Sequence, residues 1–173
     1  MDNHHQISDI VGFCRENWQE SDTDVHRYIL HLHRLSNVET QRGEPLMAQF
    51  GLSMTEFDLL ATLRRAPAPY VLSPTQLQRS TLLSSGGLTK LLYQLEERQL
   101  VSRSVDREDK RSKLVHLTPG GKKLIEKAMT RVLAQLSAGV EQAGMSKQEL
   151  KLLIVLMGKL LQALEGTTAP DQA

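Results

Sequence analysis

The spacing of apolar residues in this chain fits helices almost everywhere and strands in a single region. From Ile7 to Leu95, apolar side chains recur every three or four residues, as in helices with one buried face. After Leu100 they alternate instead, through the stretches "LVSRSV" and "KLVHLT", which predicts two short strands. The helical period returns after Thr118 and continues to Leu164. The chain is therefore predicted to be mainly α-helical, with one small β-hairpin.

Six consecutive ionisable residues form the loop between the two predicted strands. Residues 106–111 read "DREDKR", with three acidic and three basic side chains. Residues 98–127, which include this loop, hold 9 Lys and Arg against 4 Asp and Glu, although the whole chain has a net charge of only +1. A basic region on a nearly neutral protein is typical of a surface that contacts a polyanion.

Capping residues divide the helical parts of the chain into separate elements. Ser53 is predicted to begin one helix, Ser73-Pro74 a short second helix, and Ser84 or Ser85 a third. The N-terminal part is predicted to hold two further amphipathic helices. The apolar stripe of the first extends to Trp18, and the second runs from about Val25 to a break at Gly43–Pro45. Two long helices, starting at Thr118-Pro119 and at Ser146, are predicted to follow the hairpin.

The helix over residues 84–98 combines an apolar face with an outer face of small and polar residues. At about 100° per residue, the inward stripe is Leu88, Leu91, Leu92 and Leu95. A short helix, a tight turn and a second helix of this kind form a helix-turn-helix, whose second helix reads the major groove of DNA. Glycines near its start let the backbone approach DNA closely, at a cost of about 1 kcal/mol of helix stability each relative to alanine.

The hairpin over residues 105–113 is predicted to be a wing whose tip reaches the adjacent minor groove. An arginine inserted there reads the width and negative potential of the groove. Asp106 and Asp109 are expected to orient that arginine, for which Arg111 is the favoured candidate. The candidate DNA-contacting residues are Ser73, Thr75, Gln76, Ser84, Ser85, Gly86, Gly87, Thr89, Lys90, Tyr93, Arg103, Arg107, Lys110, Arg111 and Lys113.

Residues 72–124 resemble the winged-helix core of the MarR family of transcriptional regulators. The wing in that family carries a D-x-R-D-x-R pattern followed by an L-T-x-x-G helix start. The matching residues here are Asp106, Asp109, Arg111, Leu117, Thr118 and Gly121, whereas Glu108 stands where the family has its first arginine. The resemblance implies a homodimer that binds a pseudo-palindromic operator in double-stranded DNA. It also implies a repressor that releases DNA when a small ligand binds.

This organisation divides the chain into four parts. Residues 1–51 and 119–165 are predicted dimerisation helices, 52–118 the winged helix-turn-helix DNA-binding domain, and 166–173 a flexible tail. The apolar stripe of the last helix independently favours dimerisation, since it has few intrachain partners to cover it. In a two-fold dimer the recognition helices should lie about 10–10.5 base pairs apart.

The stretch over residues 57–77 resembles the urate-responsive branch of the family, which also has an extra N-terminal helix. That branch uses an aspartate and an arginine seven residues apart in this helix, matched by Asp58 and Arg65. It further uses a tryptophan in the first helix and an arginine in the recognition helix. Trp18 lies one turn after the first of these positions, where Cys14 falls, and a leucine occupies the second. The resemblance implies a small aromatic or phenolic anion as effector.

These effector candidates also allow simpler interpretations. Asp58 and Arg65 can equally be surface residues or an ion pair, and Trp18 a core residue. Cys14 can be a small buried apolar residue, or a thiol redox sensor whose oxidation switches the dimer.

A winged helix can also serve as an adaptor that binds proteins. The charged wing favours DNA over that alternative, because a protein-binding wing would more often expose an apolar patch.

The sequence contains none of the motifs typical of catalytic or metal sites. G-x-S-x-G, H-E-x-x-H and a phosphate-binding glycine loop are all missing, and His31 and His33 point to different helix faces. We therefore predict a protein that is not an enzyme and that needs no cofactor or metal.

No apolar run approaches the roughly 18 residues of a membrane span. The lack of a signal sequence and the single cysteine predict a cytoplasmic protein without membrane contact.

Overall fold

The computed structural model describes residues 6–81, 84–105 and 113–166. Within these residues it contains seven α-helices and three strands. The helices are α1 (Ile7–Asn17), α2 (Asp24–Ala48), α3 (Met54–Arg65), α4 (Pro74–Ser80), α5 (Ser85–Glu97), α6 (Pro119–Gln142) and α7 (Lys147–Gly166). The strands are β1 (Val71–Leu72), β2 (Val101–Val105) and β3 (Lys113–Leu117). The mainly helical fold with a small hairpin is confirmed.

The described residues fall into two compact units that divide after Met129, within α6. In the first unit, α3 carries much of the core, since Leu59, Leu60 and Leu63 are all fully buried. Burying a leucine completely is worth about 1.5–3 kcal/mol, so this helix anchors the unit. The rest of the largest fully buried side chains are Met47, Leu77, Leu95, Val101, Val115 and Ile125.

A capping box fixes the start of α3, as the sequence predicts. Ser53 Oγ accepts a hydrogen bond from the Glu56 backbone N–H at 3.2 Å, and the Glu56 carboxylate accepts one from the Ser53 N–H at 2.7 Å. These bonds satisfy two of the backbone donors that a helix start leaves without partners. The same arrangement begins α4, where Ser73 and Gln76 exchange bonds of 3.2 and 2.8 Å.

The three strands form an antiparallel sheet in the order β1-β3-β2. The hairpin pairs Val101 with Leu117 at its base and Val105 with Lys113 at its outer end. β1 adds two residues to the other edge of β3, with Leu72 opposite Val115. β1 is not predictable from the sequence, because two residues are too few to show an alternating pattern. It forms where β3 offers unpaired backbone groups along its edge.

The predicted break at Gly43–Pro45 was wrong, because α2 continues through it to Ala48. A proline removes one backbone hydrogen bond and crowds the preceding turn, which usually ends or kinks a helix. Here the next two residues, Leu46 and Met47, are 7% and 1% exposed. Their burial in the core offsets the local cost, so tertiary packing overrides the local signal.

The start of α6 is fitted against the turn that follows α5. The Thr118 hydroxyl donates to the Gln99 carbonyl at 2.7 Å and accepts from the Gly121 N–H at 3.0 Å. A Cβ atom on Gly121 would lie 2.1 Å from the Leu100 carbonyl oxygen. That distance is far inside van der Waals contact, so only glycine fits at this position.

The second unit contains the end of α6 together with α7. Ser146 Oγ caps α7 by accepting from the Glu149 N–H at 3.2 Å, and the returning bond from the Ser146 N–H is 2.8 Å. The described apolar residues of α7 with the largest exposure lie on all sides of the helix. They are Leu152, Leu153, Ile154, Val155, Leu156, Met157, Leu161 and Leu164, each at least 42% exposed. None of the described helices is long and apolar enough to cross a membrane.

We predict that Gly121→Ala lowers the free energy of unfolding by about 2 kcal/mol or more, because the added methyl group must displace the Leu100 backbone. Gly120→Ala is the matched control, since its Cβ would meet its nearest neighbour at an ordinary 3.7 Å. Urea unfolding followed by circular dichroism measures both variants. Equal stabilities would contradict the close fit between α6 and the turn after α5.

Candidate nucleic-acid interface

The recognition-helix candidate, α5, has one buried and one exposed face. Its four inward leucines are between 0% and 8% exposed. The exposed positions of α5 are Ser85, Gly86, Gly87, Thr89, Lys90, Tyr93, Gln94 and Glu97. The facing predicted from the apolar spacing is therefore confirmed. The outward surface combines small residues, which allow close approach, with hydroxyl and ammonium groups that can donate hydrogen bonds.

The start of α5 is open and free of acidic side chains. Ser84, rather than Ser85, caps the helix by accepting from the Gly87 N–H at 3.2 Å. No acidic residue lies in the first turn, and a Cβ atom on Gly86 would meet nothing within 4 Å. A helix start carries partial positive charge from its aligned peptide dipoles. This end of α5 is therefore suited to approach by an anion such as a phosphate.

Polar residues at the start of α4 divide between internal and outward roles. Ser73 and Gln76 form the capping box of α4, so their side chains are already hydrogen-bonded within the helix. Thr75 lies between them and is exposed. Of these three residues, only Thr75 takes no part in the capping box.

An ion pair joins the wing to α5. Arg103 Nε on β2 donates to Glu96 Oε2 at 2.7 Å, a second guanidinium nitrogen bonds the same oxygen, and the Arg103 N–H donates to Oε1 at 3.2 Å. The hydrogen bond from Arg103 is the main cause that lowers the pKa of Glu96 below its ordinary value. The sequence analysis treated Arg103 as a DNA contact and did not identify Glu96. The described contacts show that Arg103 also holds the hairpin against α5.

Tyr93 is hydrogen-bonded to its neighbour Glu97 on the exposed face of α5. Its side chain is 56% exposed, and its hydrogen bond with Glu97 raises the pKa of the phenol. Because the single O–H of the phenol is donated to the Glu97 carboxylate, the phenol oxygen is left to accept a hydrogen bond.

The tip of the predicted wing lies outside the described residues. This applies to Asp106, Arg107, Asp109, Lys110 and Arg111. The residues that flank the tip, Val105 and Lys113, are paired with each other and exposed. The outer end of the described hairpin is therefore exposed.

The first pair of effector candidates lies on α3. Asp58 is exposed, yet the protein atoms around its carboxyl desolvate it and raise its pKa, while the charge of Arg65 acts in the opposite direction. Arg65 Nε donates to the Ala61 carbonyl at 3.1 Å, and Nη2 donates to Thr62 Oγ1 at 3.2 Å. The helix thus orients the guanidinium near the carboxyl without burying either group.

The second pair of candidates lies at the end of α1. Trp18 follows the last residue of α1 and is 65% exposed in the single chain. The prediction that it continues the apolar stripe of this helix was therefore wrong. Cys14 is half-buried, and its Sγ lies 4.0 Å from His26 Nδ1. The sequence analysis missed His26 as a neighbour of the thiol, because the contact joins two helices across 12 residues. None of the described residues forms a cluster of three metal ligands.

We predict that the Glu96–Arg103 pair stabilises the fold only while the carboxylate is ionised. Because the folded-state pKa of Glu96 is lowered, this stabilisation is complete above about pH 4.3, the value of a free glutamate, and is lost as the pH falls through the folded-state pKa. Unfolding by urea should show that Glu96→Gln is less stable than the wild type at pH 7, with the difference shrinking towards pH 3. A difference that stays constant over this range would contradict the role given to the pair.

Comparisons with known proteins agree with this geometry. The sequence model of the MarR family matches residues 50–112. The chain is 33% identical to the HTH-type transcriptional regulator PecS of Dickeya dadantii over 124 residues, which cover 72% of this chain and 75% of PecS. Its fold is similar to that of MepR of Staphylococcus aureus in complex with DNA (TM-score 0.67, 23% identity, 79% of this chain and 97% of MepR).

A second similar structure contains a bound small molecule. NadR was solved in complex with 4-hydroxyphenylacetate, and it shares the fold of this chain with a TM-score of 0.62 and 22% identity over 76% of this chain and 89% of NadR. The family match covers the helix-turn-helix and β2 and ends just before β3, and the PecS alignment covers 124 residues. The chain belongs to the MarR family of winged helix-turn-helix transcriptional regulators, and it is not an enzyme.

Proposed function

We propose that this regulator is a repressor that binds a pseudo-palindromic operator as a homodimer and releases it when a small ligand binds. α5 enters the major groove, and the wing over residues 105–113 enters the adjacent minor groove. The observation that carries this proposal is the outward face of α5, which is open at Gly86, free of acidic residues in its first turn and exposed along its whole length. MepR, which has a similar fold and was solved in complex with DNA, supports the same use of the fold.

Each group of predicted contact residues has a distinct proposed role. Ser84, Ser85 and the start of α5 bind phosphates, because hydroxyl and backbone N–H donors there face outward. Lys90 reaches a guanine edge or a phosphate. Arg111 reads the minor groove while Asp106 and Asp109 orient it. The remaining proposed contacts are Ser73, Thr75, Gln76, Gly86, Gly87, Thr89, Tyr93, Arg103, Arg107, Lys110 and Lys113.

The proposed homodimer rests on the exposed apolar residues of α7. A helix that is apolar on all sides is stable in water only when other elements cover it. We take a second copy of this chain as the cover, since a two-fold interface brings the same apolar surface from both partners together. Residues 1–51 and 119–165 then form the dimerisation part, 52–118 the DNA-binding part, and 166–173 the tail.

The proposed effector is a small aromatic or phenolic anion that acts near α3. Asp58 and Arg65 offer a hydrogen-bonding carboxyl and a guanidinium two turns apart on one face of α3, which suits a planar ligand with both donor and acceptor groups. Trp18 is exposed and can stack on an aromatic ring. NadR, solved in complex with 4-hydroxyphenylacetate, holds a ligand of this chemistry in a similar fold. We infer that the protein acts in the cytoplasm, because that is where its DNA target lies.

A thiol switch at Cys14 is the second candidate for regulation. It is favoured by the partial exposure of Cys14, which lets an oxidant reach the thiol. His26 Nδ1 lies 4.0 Å from Sγ but donates to the Ser21 carbonyl at 2.8 Å, so this nitrogen does not take up the thiol proton. Hydrogen peroxide would oxidise the thiol to a sulfenic acid, with release of one water molecule. Peroxide treatment that leaves DNA affinity unchanged would exclude this switch.

DNA binding is tested with a duplex selected from a random library by the wild-type protein. We expect the selected duplex to bind at least about a thousandfold more tightly than random duplex at physiological salt. Lys90→Ala and Arg111→Ala should weaken this binding, and loss of one phosphate contact should reduce the logarithmic salt slope by about 0.9. Arg131→Ala, which removes an exposed charge from α6, is the control. Failure to select any duplex would favour the protein-binding adaptor.

Gly86→Ala should separate stability from DNA binding. The new methyl group meets nothing within 4 Å, and alanine favours a helix over glycine by up to about 1 kcal/mol. We therefore expect a more stable protein that binds the selected duplex about tenfold more weakly, because the methyl group holds the helix away from the DNA. Gly12→Ala, an equally open helical position in α1, is the control and should leave DNA affinity unchanged. Unchanged affinity of Gly86→Ala would argue against close approach at this residue.

Leu153→Glu should dissociate the proposed dimer, because a charge at an exposed apolar position of α7 would be buried in the interface. Analytical ultracentrifugation should show the wild type at twice its chain mass of 19.4 kDa and the variant at lower mass. Lys151→Glu, an exposed position on the same helix, serves as control. A monomeric wild type at micromolar concentration would contradict the proposal.

A further inference from the structure

Arg98 joins the end of α5 to two groups far away in the sequence. It follows the last residue of α5, and its guanidinium forms two hydrogen bonds of equal length. Nη1 donates to Glu56 Oε1 at 2.7 Å, and Nη2 donates to the Gly51 carbonyl at 2.7 Å. Glu56 belongs to the first turn of α3, and Gly51 lies in the turn after α2. A single side chain thus connects the C-terminal end of α5 to the junction of two other helices.

The two bonds need an arginine and a preformed acceptor pair. A planar guanidinium presents its donors in a fixed fork, whereas a lysine ammonium is a single point of charge. Gly51 has a left-handed backbone (φ +63°), which sets the direction of its carbonyl. Glu56 is held by its other oxygen, which accepts from the Ser53 N–H at 2.7 Å. Both acceptors are therefore oriented independently of Arg98.

The geometry of α5 makes the position of this end important for DNA contact. The 13 residues of α5 span about 20 Å at 1.5 Å per residue. A tilt of about 10° at one end would therefore move the other end by about 3 Å over that length. Productive contacts tolerate errors of only about 0.5 Å. The leucine face of α5 packs through apolar contacts, which have no preferred direction. A directional hydrogen bond at the C-terminal end of α5 can therefore set the angle of the helix.

We propose that Arg98 is a positioning residue that sets the angle at which α5 meets DNA, without itself touching the DNA. This proposal rests on the proposed role of α5 in the major groove. Because Gly51 lies in the turn three residues after the end of α2, Arg98 also transmits displacement of the end of α2 to α5. Arg98 thereby determines sequence preference, while Lys90 and the residues near the start of α5 make the contacts.

The test compares Arg98→Gln, Arg98→Lys and Glu56→Gln on the selected duplex and on random duplex, over a range of salt concentrations. Glu56→Gln is informative because glutamine also serves at this position of a capping box, so the variant removes the charge while keeping the start of α3. We expect Arg98→Gln to weaken binding to the selected duplex about tenfold. Binding to random duplex and the salt slope should stay as in the wild type. Arg98→Lys should recover only part of the loss.

Glu56→Gln should act in the same direction, and the double variant should be no weaker than Arg98→Gln alone, since both changes remove one interaction. Thermal unfolding of each variant shows whether it is folded at the temperature of the assay. If Arg98→Gln does not fold, the wild type is compared with Glu56→Gln and Arg98→Lys instead.

Two results would overturn this proposal and leave the proposed function intact. A salt slope reduced by about 0.9, with equal weakening on both duplexes, would make Arg98 a phosphate contact. Unchanged binding by all three variants, while Lys90→Ala binds weakly, would show that α5 is positioned without Arg98. If Lys90→Ala also binds like the wild type, α5 is not the reading helix, and both proposals fail.

Discussion

The structure depends on the burial of one face of α5. Four leucines of a 13-residue helix are almost completely removed from water, against α4 and β2 of the same unit. Burial of this size is worth several kcal/mol, at about 1.5–3 kcal/mol per leucine. It holds the helix on the core without any help from its other face. The other face is therefore free to carry glycines and polar residues that contribute little to stability.

Polar contacts at the end of α5 add direction to this apolar packing. Glu96 holds the wing through Arg103, Arg98 holds the junction of α2 and α3, and the Thr118 hydroxyl bonds the Gln99 carbonyl. All of these contacts lie at the C-terminal end of the helix, away from the open first turn. The fold thus combines a fixed end with an exposed end, which is the arrangement that a reading helix needs.

Most of the fold could be predicted because its signals are local. The caps at Ser53 and Ser73, the leucine stripe of α5 and the alternation in the hairpin each lie within a few residues of the element they determine. The errors arose where distant residues decide the outcome. Burial of Met47 carries α2 through a proline, and β1 exists only beside β3. The Arg98–Glu56 contact joins residues 42 positions apart, which no sequence pattern encodes.

The central claim is that the exposed face of α5 reads the major groove in a two-fold complex. Methylation protection of guanine N7, which lies in the major groove, tests it most directly on the selected duplex. The account predicts two protected blocks whose centres lie about 10 base pairs apart, with protection lost when Lys90 is changed to alanine. Tight binding that leaves every guanine N7 open to methylation would contradict the account.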